Sequence, residues 1–329
     1  MNHRPSSLVI SLDFELHWGV CDHLRVEDYR ANLLGVREAI PAMLALFQRY
    51  DLHATWATVG FLFAETRRQL LDALPAMRPT YDNPRLSPYG MLSEIGENER
   101  ADPFHFAPSL LRQIAATRHQ ELGTHTFSHY YCLEPGQSSE AFEADLHAAA
   151  AIGRDFGPVC QSLVFPRNQF NPAYLPVMQK CGVRAYRGNG PQWAPKSTSK
   201  TTALLGRAIR LLDTYVPLTG NGTAPKPKLT PGPVDVPAST FLRPYNPRLR
   251  PFDSLRRRRI TSAMTAAAHR GESFHLWWHP HNFGVNLREN LAFLTELLEH
   301  FMTLRRRYEM QSFTMGEAAV EAKASCHAY

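Results

Sequence analysis

At 329 residues with 44% apolar side chains, the chain can bury a large core, and one domain over 1–329 accommodates that length. The formal charge of +6 is partly concentrated in two arginine runs, 256–259 and 305–307, read first as solvated helix faces. Attraction to sugar-linked phosphates or an acidic membrane leaflet competes with that reading, and nucleic acid ranks below both because no aromatic-interleaved binding motif accompanies the charge. No run of about 18 apolar residues occurs, and Asp13 and Glu15 interrupt the apolar stretch 8–16. The expectation is a soluble, cytoplasmic protein with no membrane span and at most peripheral membrane contact. Five cysteines (Cys21, Cys132, Cys160, Cys181, Cys326) include no CxxC pair, which fits neither a disulfide framework nor a zinc knuckle.

In chain order the pattern predicts a strand over 8–15, a helix over 31–49, a strand over 53–63 and a helix over 67–74, the alternation of a parallel sheet. It resumes with a strand at 120–124, a helix at 140–156, a strand at 160–165, a helix at 172–180 and a strand at 183–186. A helix over 254–269, a strand over 273–279, a helix over 287–307 and a strand near Gln311 close the series, with a frayed end after Ala318. Two stretches break the rhythm: 77–108 mixes Pro, Gly and acids, and 218–251 is proline-rich. Both read as long loop insertions over one end of a barrel.

Strand alternation through 11–15 puts Ser11, Asp13 and Glu15 on one face. Two carboxylates on one buried face repel unless a cation or a proton offsets them. After the strand at 120–124 comes His125-Thr126-Phe127-Ser128-His129, whose two histidines can point at one cation from a single turn. Alone, an HxxxH pair is common and each histidine could be structural. The glutamate of a metalloprotease helix is missing, since Thr126 stands in its place. A third ligand must come from elsewhere, and Glu15 or Asp13 would complete a two-His-one-carboxylate set.

Over 274–281, His275, Trp277 and His279 share a face, and His279 ends the strand where barrel enzymes keep their chemistry. Trp18, Trp277 and Trp278 are candidates for stacking on a sugar ring, with core packing the equal alternative. His281 and Asn282 either contact substrate or cap the following helix. No nucleophile elbow or phosphate loop is present, and Gly220-Asn221-Gly222 lacks the context of a dinucleotide site.

Taken in order, Ser11 through Glu15, His53-Ala54-Thr55-Trp56-Ala57-Thr58-Val59-Gly60, His125 through His129, Phe165-Pro166-Arg167-Asn168 and His279-Pro280-His281 resemble the polysaccharide deacetylase superfamily, carbohydrate esterase family four. The Asp-x-Glu first motif is similar to an intracellular branch. The resemblance implies an α/β fold, a single distorted (β/α) barrel with about seven parallel strands, and removal of N-acetyl groups from glycans with a divalent metal. Zinc is the expected ion, with cobalt, nickel and iron also suited to His and carboxylate ligands. By position Asp13 resembles the catalytic base, Glu15, His125 and His129 the ligands, His279 the general acid, and Arg167 the arginine that steadies the base. Because Phe14 separates the carboxylates and the second is Glu, the roles of Asp13 and Glu15 are exchangeable. Pro166-Arg167-Asn168-Gln169 replaces the usual Arg-x-Pro-Tyr, so the oxyanion donor is open between backbone N–H groups near Arg167 and Asn168. The implied substrate is an acylated amino sugar, nucleotide-linked or lipid-linked, in surface polysaccharide biosynthesis, with Asn168 among the residues near it. The alternatives are a deformylase or other C–N amidohydrolase, and a non-catalytic carbohydrate-binding pseudoenzyme.

Overall fold

A computed structural model describes residues 6–190 and 227–325. The expectations for Gly220-Asn221-Gly222, Cys326 and the first part of the 218–251 insertion lie outside the described residues. The strands are β1 (Ser7–Phe14), β2 (Ala54–Thr58), β3 (Gln120–Thr124), β4 (Ser162–Leu163), β5 (Ala185–Tyr186), β6 (Val234–Asp235), β7 (Thr240–Phe241), β8 (Ser273–Trp278) and β9 (Gln311–Phe313). All pair in parallel, in the order β6-β5-β4-β3-β2-β1-β8-β7, with β9 beside β1. The helices are α1 (Val26–Arg49), α2 (Arg67–Asp72), α3 (Pro108–Ala116), α4 (Ser139–Ile152), α5 (Leu175–Lys180), α6 (Asp253–Arg270), α7 (Leu287–Tyr308) and α8 (Met315–Ala324). The result is the predicted α/β, (β/α) barrel-like architecture.

β1 is buried along its whole length, as a parallel strand covered on both faces must be. Its outward residues Leu8, Ile10, Leu12 and Phe14 meet the main core, where α1 contributes Val36, Ile40, Met43 and Phe47 at helical spacing. Its inward Val9 joins Ala57, Val164, Ala185, Val234 and Val236 at the bottom of the barrel. Above that apolar layer the interior turns polar.

The proline-rich stretch departs from its expected role. Far from being only a loop, residues 234–242 complete the barrel wall. The Val236 and Ala238 amides donate to Tyr186 and Gly188, whereas those of Ser239 and Leu242 donate to His275 and Trp277. One bent segment thus bridges β5 and β8, and with β6 and β7 counted as that single segment the ring has the expected seven positions.

The tail differs as well. What reads as a frayed end after Ala318 is the middle of α8, started by a capping box between Thr314 and Glu317. Met315, Ala318 and Ala319 close the lower end of the barrel, while the Met315 and Gly316 amides donate to Thr55 and Glu121. The arginine run at 256–259 is not simply a solvated face either. Arg256 is buried over the Phe293 ring and donates to the Arg243 carbonyl, and Arg257 pairs with Glu296. Among the described residues no helix is long and apolar enough to cross a membrane.

Candidate active site

β1, β3 and β8 end at the same rim of the barrel, which brings together residues far apart in sequence. Just past β1, Glu15 is 4% exposed. Its Oε2 lies 3.3 Å from His125 Nε2 and 3.2 Å from His129 Nε2. The ligand atoms of these three residues all lie within 4.8 Å of one another.

The loop holding the histidines is strained and then tied down. Thr126 and His129 both have positive φ, which costs a non-glycine residue about 1–2 kcal/mol. The Asp145 carboxylate on α4 accepts the Phe127 and Ser128 amides and the Ser128 hydroxyl, which offsets that strain. Burial pushes Asp145 up to about 6, against those hydrogen bonds. Gly19 is required next to Glu15, because a Cβ there would lie 1.9 Å from the Glu15 carboxyl carbon.

The donor set fits a divalent cation. His125 Nδ1 lies 2.9 Å from the Val164 carbonyl, which can only accept; that nitrogen therefore carries the proton and Nε2 presents a lone pair. His129 Nδ1 lies 3.1 Å from the Tyr131 hydroxyl, leaving its Nε2 toward Glu15. Burial lowers His129, although Glu15 opposes it, and so favours the neutral imidazole that a ligand must be. Burial would raise Glu15, but His279, with His125 and His129 beside it, holds it well below the usual carboxylate range.

Asp13 sits beside this cluster and carries its own counter-ion. Arg187, just past β5, donates to both Asp13 oxygens at 2.7 Å. It also donates to Ser11 Oγ at 3.0 Å and Asn168 Oδ1 at 2.9 Å, with its guanidinium 4.2 Å from the centre of the Trp277 ring. Burial raises Asp13, yet Arg187 chiefly, with His125 and His279, brings it below its ordinary value. Ser11 in turn meets His275 at 2.8 Å, and burial drives that histidine down to about 3. Asp13 is thus held in a hydrogen-bonded network and is not a bare carboxylate.

His279 Nε2 lies 3.8 Å from Asp13 and 3.6 Å from Glu15, with 23% of its side chain exposed. Its ring stacks on His281, centroids 5.0 Å apart. Burial, reinforced by His279, lowers His281 to about 3, so this partner stays neutral.

Several expected positions fall elsewhere. Arg167 does not reach Asp13; it pairs with Asp22 and lies over the Tyr131 ring at 4.5 Å, and the arginine on Asp13 is Arg187. Trp18 and Trp278, 1% and 0% exposed, belong to the core. Trp18 packs on Phe61 and gives its N–H to His105 O, while Trp278 packs on Phe47 and Phe283, so neither lies open to a ligand. Only Trp277 is partly open, beside Phe241 and His279. The Asn168 side chain is engaged by Arg187, and its own N–H is given to Phe165 O. Arg167 and Asn168 both have positive φ, and among the described residues the Arg167 N–H meets no acceptor. His281 and Asn282 do not cap α7, whose N-cap is Asn286; they form a 3-10 turn directly below His279.

Arg187 was missed because its partner lies 174 residues away. The one available signal was an arginine immediately after a predicted strand, at the rim where sites form.

The barrel rim gathers two histidines and a glutamate that could hold a metal ion, beside an arginine-held aspartate and a half-open histidine. Residues 29–186, a little under half of the chain, match the polysaccharide deacetylase family. On that match the chain is a hydrolase of carbon–nitrogen bonds other than peptide bonds. Among solved structures, a Mycobacterium smegmatis protein assigned to the polysaccharide deacetylases is similar at 12% identity and a TM-score of 0.60, over 99% of this chain and 93% of that one. A Pseudomonas aeruginosa protein with the same assignment gives 11% identity and 0.52, over 96% and 89%. Puue allantoinase gives 11% and 0.53, over 100% and 94%. At these identities the structures speak for the fold alone. No curated protein sequence matches the chain.

Proposed function

We propose that the chain, read as one catalytic domain over 1–329, removes an N-acyl group, foremost acetyl, from an amino sugar. Glu15, His125 and His129 hold the metal, expected to be zinc. The observation that carries the reading is the convergence of both Nε2 atoms on one Glu15 oxygen, with Asp13 and His279 alongside. A divalent ion bound by the three residues supplies Lewis acidity and makes a water acidic enough to lose a proton near neutral pH.

Asp13 is the base. Arg187 fixes its plane and keeps it ionised, and each oxygen retains a second lone pair for the proton of the attacking water. The Arg187 pairing lowers its basicity, so its contribution is orientation as much as proton affinity. The Arg167 amide, which meets no acceptor among the described residues, is the backbone donor for the oxygen that gains charge. His279, in reach of both carboxylates and partly open to solvent, delivers the proton to the departing amine. Trp277 and Phe241 offer the aromatic wall for a sugar ring. The finer expectation is a nucleotide-linked or lipid-linked precursor of a surface polysaccharide.

The test is metal content by mass spectrometry on the native protein and a Glu15→Ala/His125→Ala variant, with amine release from N-acetyl and N-formyl amino sugars. About one metal per chain that is lost in the variant, with amine released from the acetyl compounds, is expected. His279→Ala should keep the metal and lose most turnover. Release from formyl compounds alone would favour a deformylase, and no metal after addition of zinc or cobalt would sink the proposal.

A further inference from the structure

Outside the site described so far, one group of buried titratable side chains has no assigned task. Asp102 Oδ2 lies 2.8 Å from His105 Nδ1, His105 Nε2 lies 2.8 Å from His17 Nδ1, and His17 Nε2 lies 3.0 Å from the Leu24 carbonyl. Asp102, His105 and His17 are 7%, 6% and 4% exposed. The row runs from the 77–108 insertion to the turn that follows Glu15.

Three contacts in this row each need one hydrogen. The Leu24 carbonyl can only accept, so His17 Nε2 carries a proton. The carboxylate at the other end accepts as well, so His105 Nδ1 carries one, and the contact between the rings needs a third. Two neutral imidazoles hold only two protons; the pair therefore holds one more, balanced by the Asp102 charge. Burial would raise Asp102, but hydrogen bonds from His105 and from the Gly96 and Phe104 amides bring it below its ordinary value.

The backbone reinforces the link. The His17 N–H donates to Phe104 O, and the Trp18 indole N–H donates to His105 O. Between Glu15 and His17, Leu16 has a φ of 47°, a left-handed conformation that a leucine keeps only when its neighbours are fixed. Glu15 thus enters the site from a strained turn whose far side is clamped by residues 102–105.

We propose that Asp102, His105 and His17 form a buried positioning chain that fixes the turn carrying Glu15, so that the 77–108 insertion sets the affinity of the Glu15–His125–His129 site for its metal. This rests on the metal reading of that site. Cobalt(II) is the probe, because its visible absorption reports ligand geometry without turnover.

The experiment titrates cobalt into the wild type, His105→Phe and His105→Gln, with thermal unfolding of each metal-free protein. His105→Phe keeps the bulk but cannot bridge, and it should bind cobalt about 10- to 100-fold more weakly with an altered spectrum. His105→Gln, whose amide group carries two N–H donors, one for Asp102 and one for the lone pair on His17 Nδ1, should recover part of the loss. A folded His105→Phe with wild-type affinity and spectrum overturns the positioning role, whatever its thermal midpoint. A wild type that binds no cobalt overturns the metal reading and this inference with it. If His105→Phe does not fold, the wild-type protein decides: nitrogen-edited proton spectra should contain three ring N–H signals from His17 and His105, and two would overturn the chain.

Discussion

Replacing Arg187 by methionine removes the guanidinium paired with Asp13 while keeping most of the volume. The side chain of Arg187 is fully buried and that of Asp13 is 4% exposed, so no water replaces the lost donors. Two hydrogen bonds to Asp13 disappear, with those to Ser11 and Asn168. Breaking one partner of a buried pair costs about 3–5 kcal/mol, because a desolvated charge remains behind. With a urea dependence of about 3 kcal/mol per molar, the unfolding midpoint should fall by about 1–2 M. The double variant Asp13→Asn/Arg187→Met removes the stranded charge and should recover most of that loss. The pH dependence gives a second check. Asp13 is lowered in the fold, so its stabilisation is present above its ordinary range and lost as pH falls through the folded value. The gap between wild type and Arg187→Met should therefore narrow in acid. Urea unfolding of the three proteins at pH 7 and pH 4 measures all of this. A single variant that costs less than 1 kcal/mol, or a double variant no more stable than the single, would refute the reasoning.

Asp145 should behave in the opposite sense. Its folded value near 6 lies above the ordinary 3.8, so the fold favours the protonated acid and loses stability as pH rises through that window. At 1.36 kcal/mol per pH unit the change is about 3 kcal/mol, and the stability difference between wild type and Asp145→Asn should shift by that amount between pH 4 and pH 7. A difference independent of pH would show that Asp145 is not protonated on folding. The tryptophans of β8 should separate cleanly. Trp278→Ala should cost about 3–5 kcal/mol in thermal or urea unfolding, as a cavity in the core does, whereas Trp277→Ala should act mainly on KM, read by steady-state amine release. A KM change from Trp278→Ala without loss of stability would reverse that assignment.

How far the sequence carries depends on the distance over which its signals act. Asp13, Glu15, His125 and His129 stand out because strand alternation and the four-residue histidine spacing are local, and the rim position follows from the parallel rhythm. Arg187 and the His17–His105 contact depend on closure of the barrel and on an insertion folded back across it, which no short-range pattern encodes. Trp18 and Trp278 look like ligand-facing aromatics only while their neighbours are unknown; once Phe47, Phe61 and Phe283 surround them, they are core. β6 and β7 are two residues each, too short for an alternation to register, and the prolines around them read as loop. In α8 the capping box was present in Thr314 and Glu317, but Gly316 and the small residues after it hid the apolar face.

The placing of β1 has a kinetic meaning. It lies between β2 and β8, with β9 also against it, and its Ser11 meets a histidine 264 positions further along. Contacts of such separation must wait for a long loop to close, which makes folding slow. During synthesis β1 emerges well before its partners β8 and β9, apolar on its outward face and paired on one side only by β2, until residues 273–313 have left the ribosome. Asp13 and Glu15 are therefore made long before His279 can join them. A nascent chain arrested before β8 should expose an unpaired strand edge, and chaperone dependence should be concentrated in that interval.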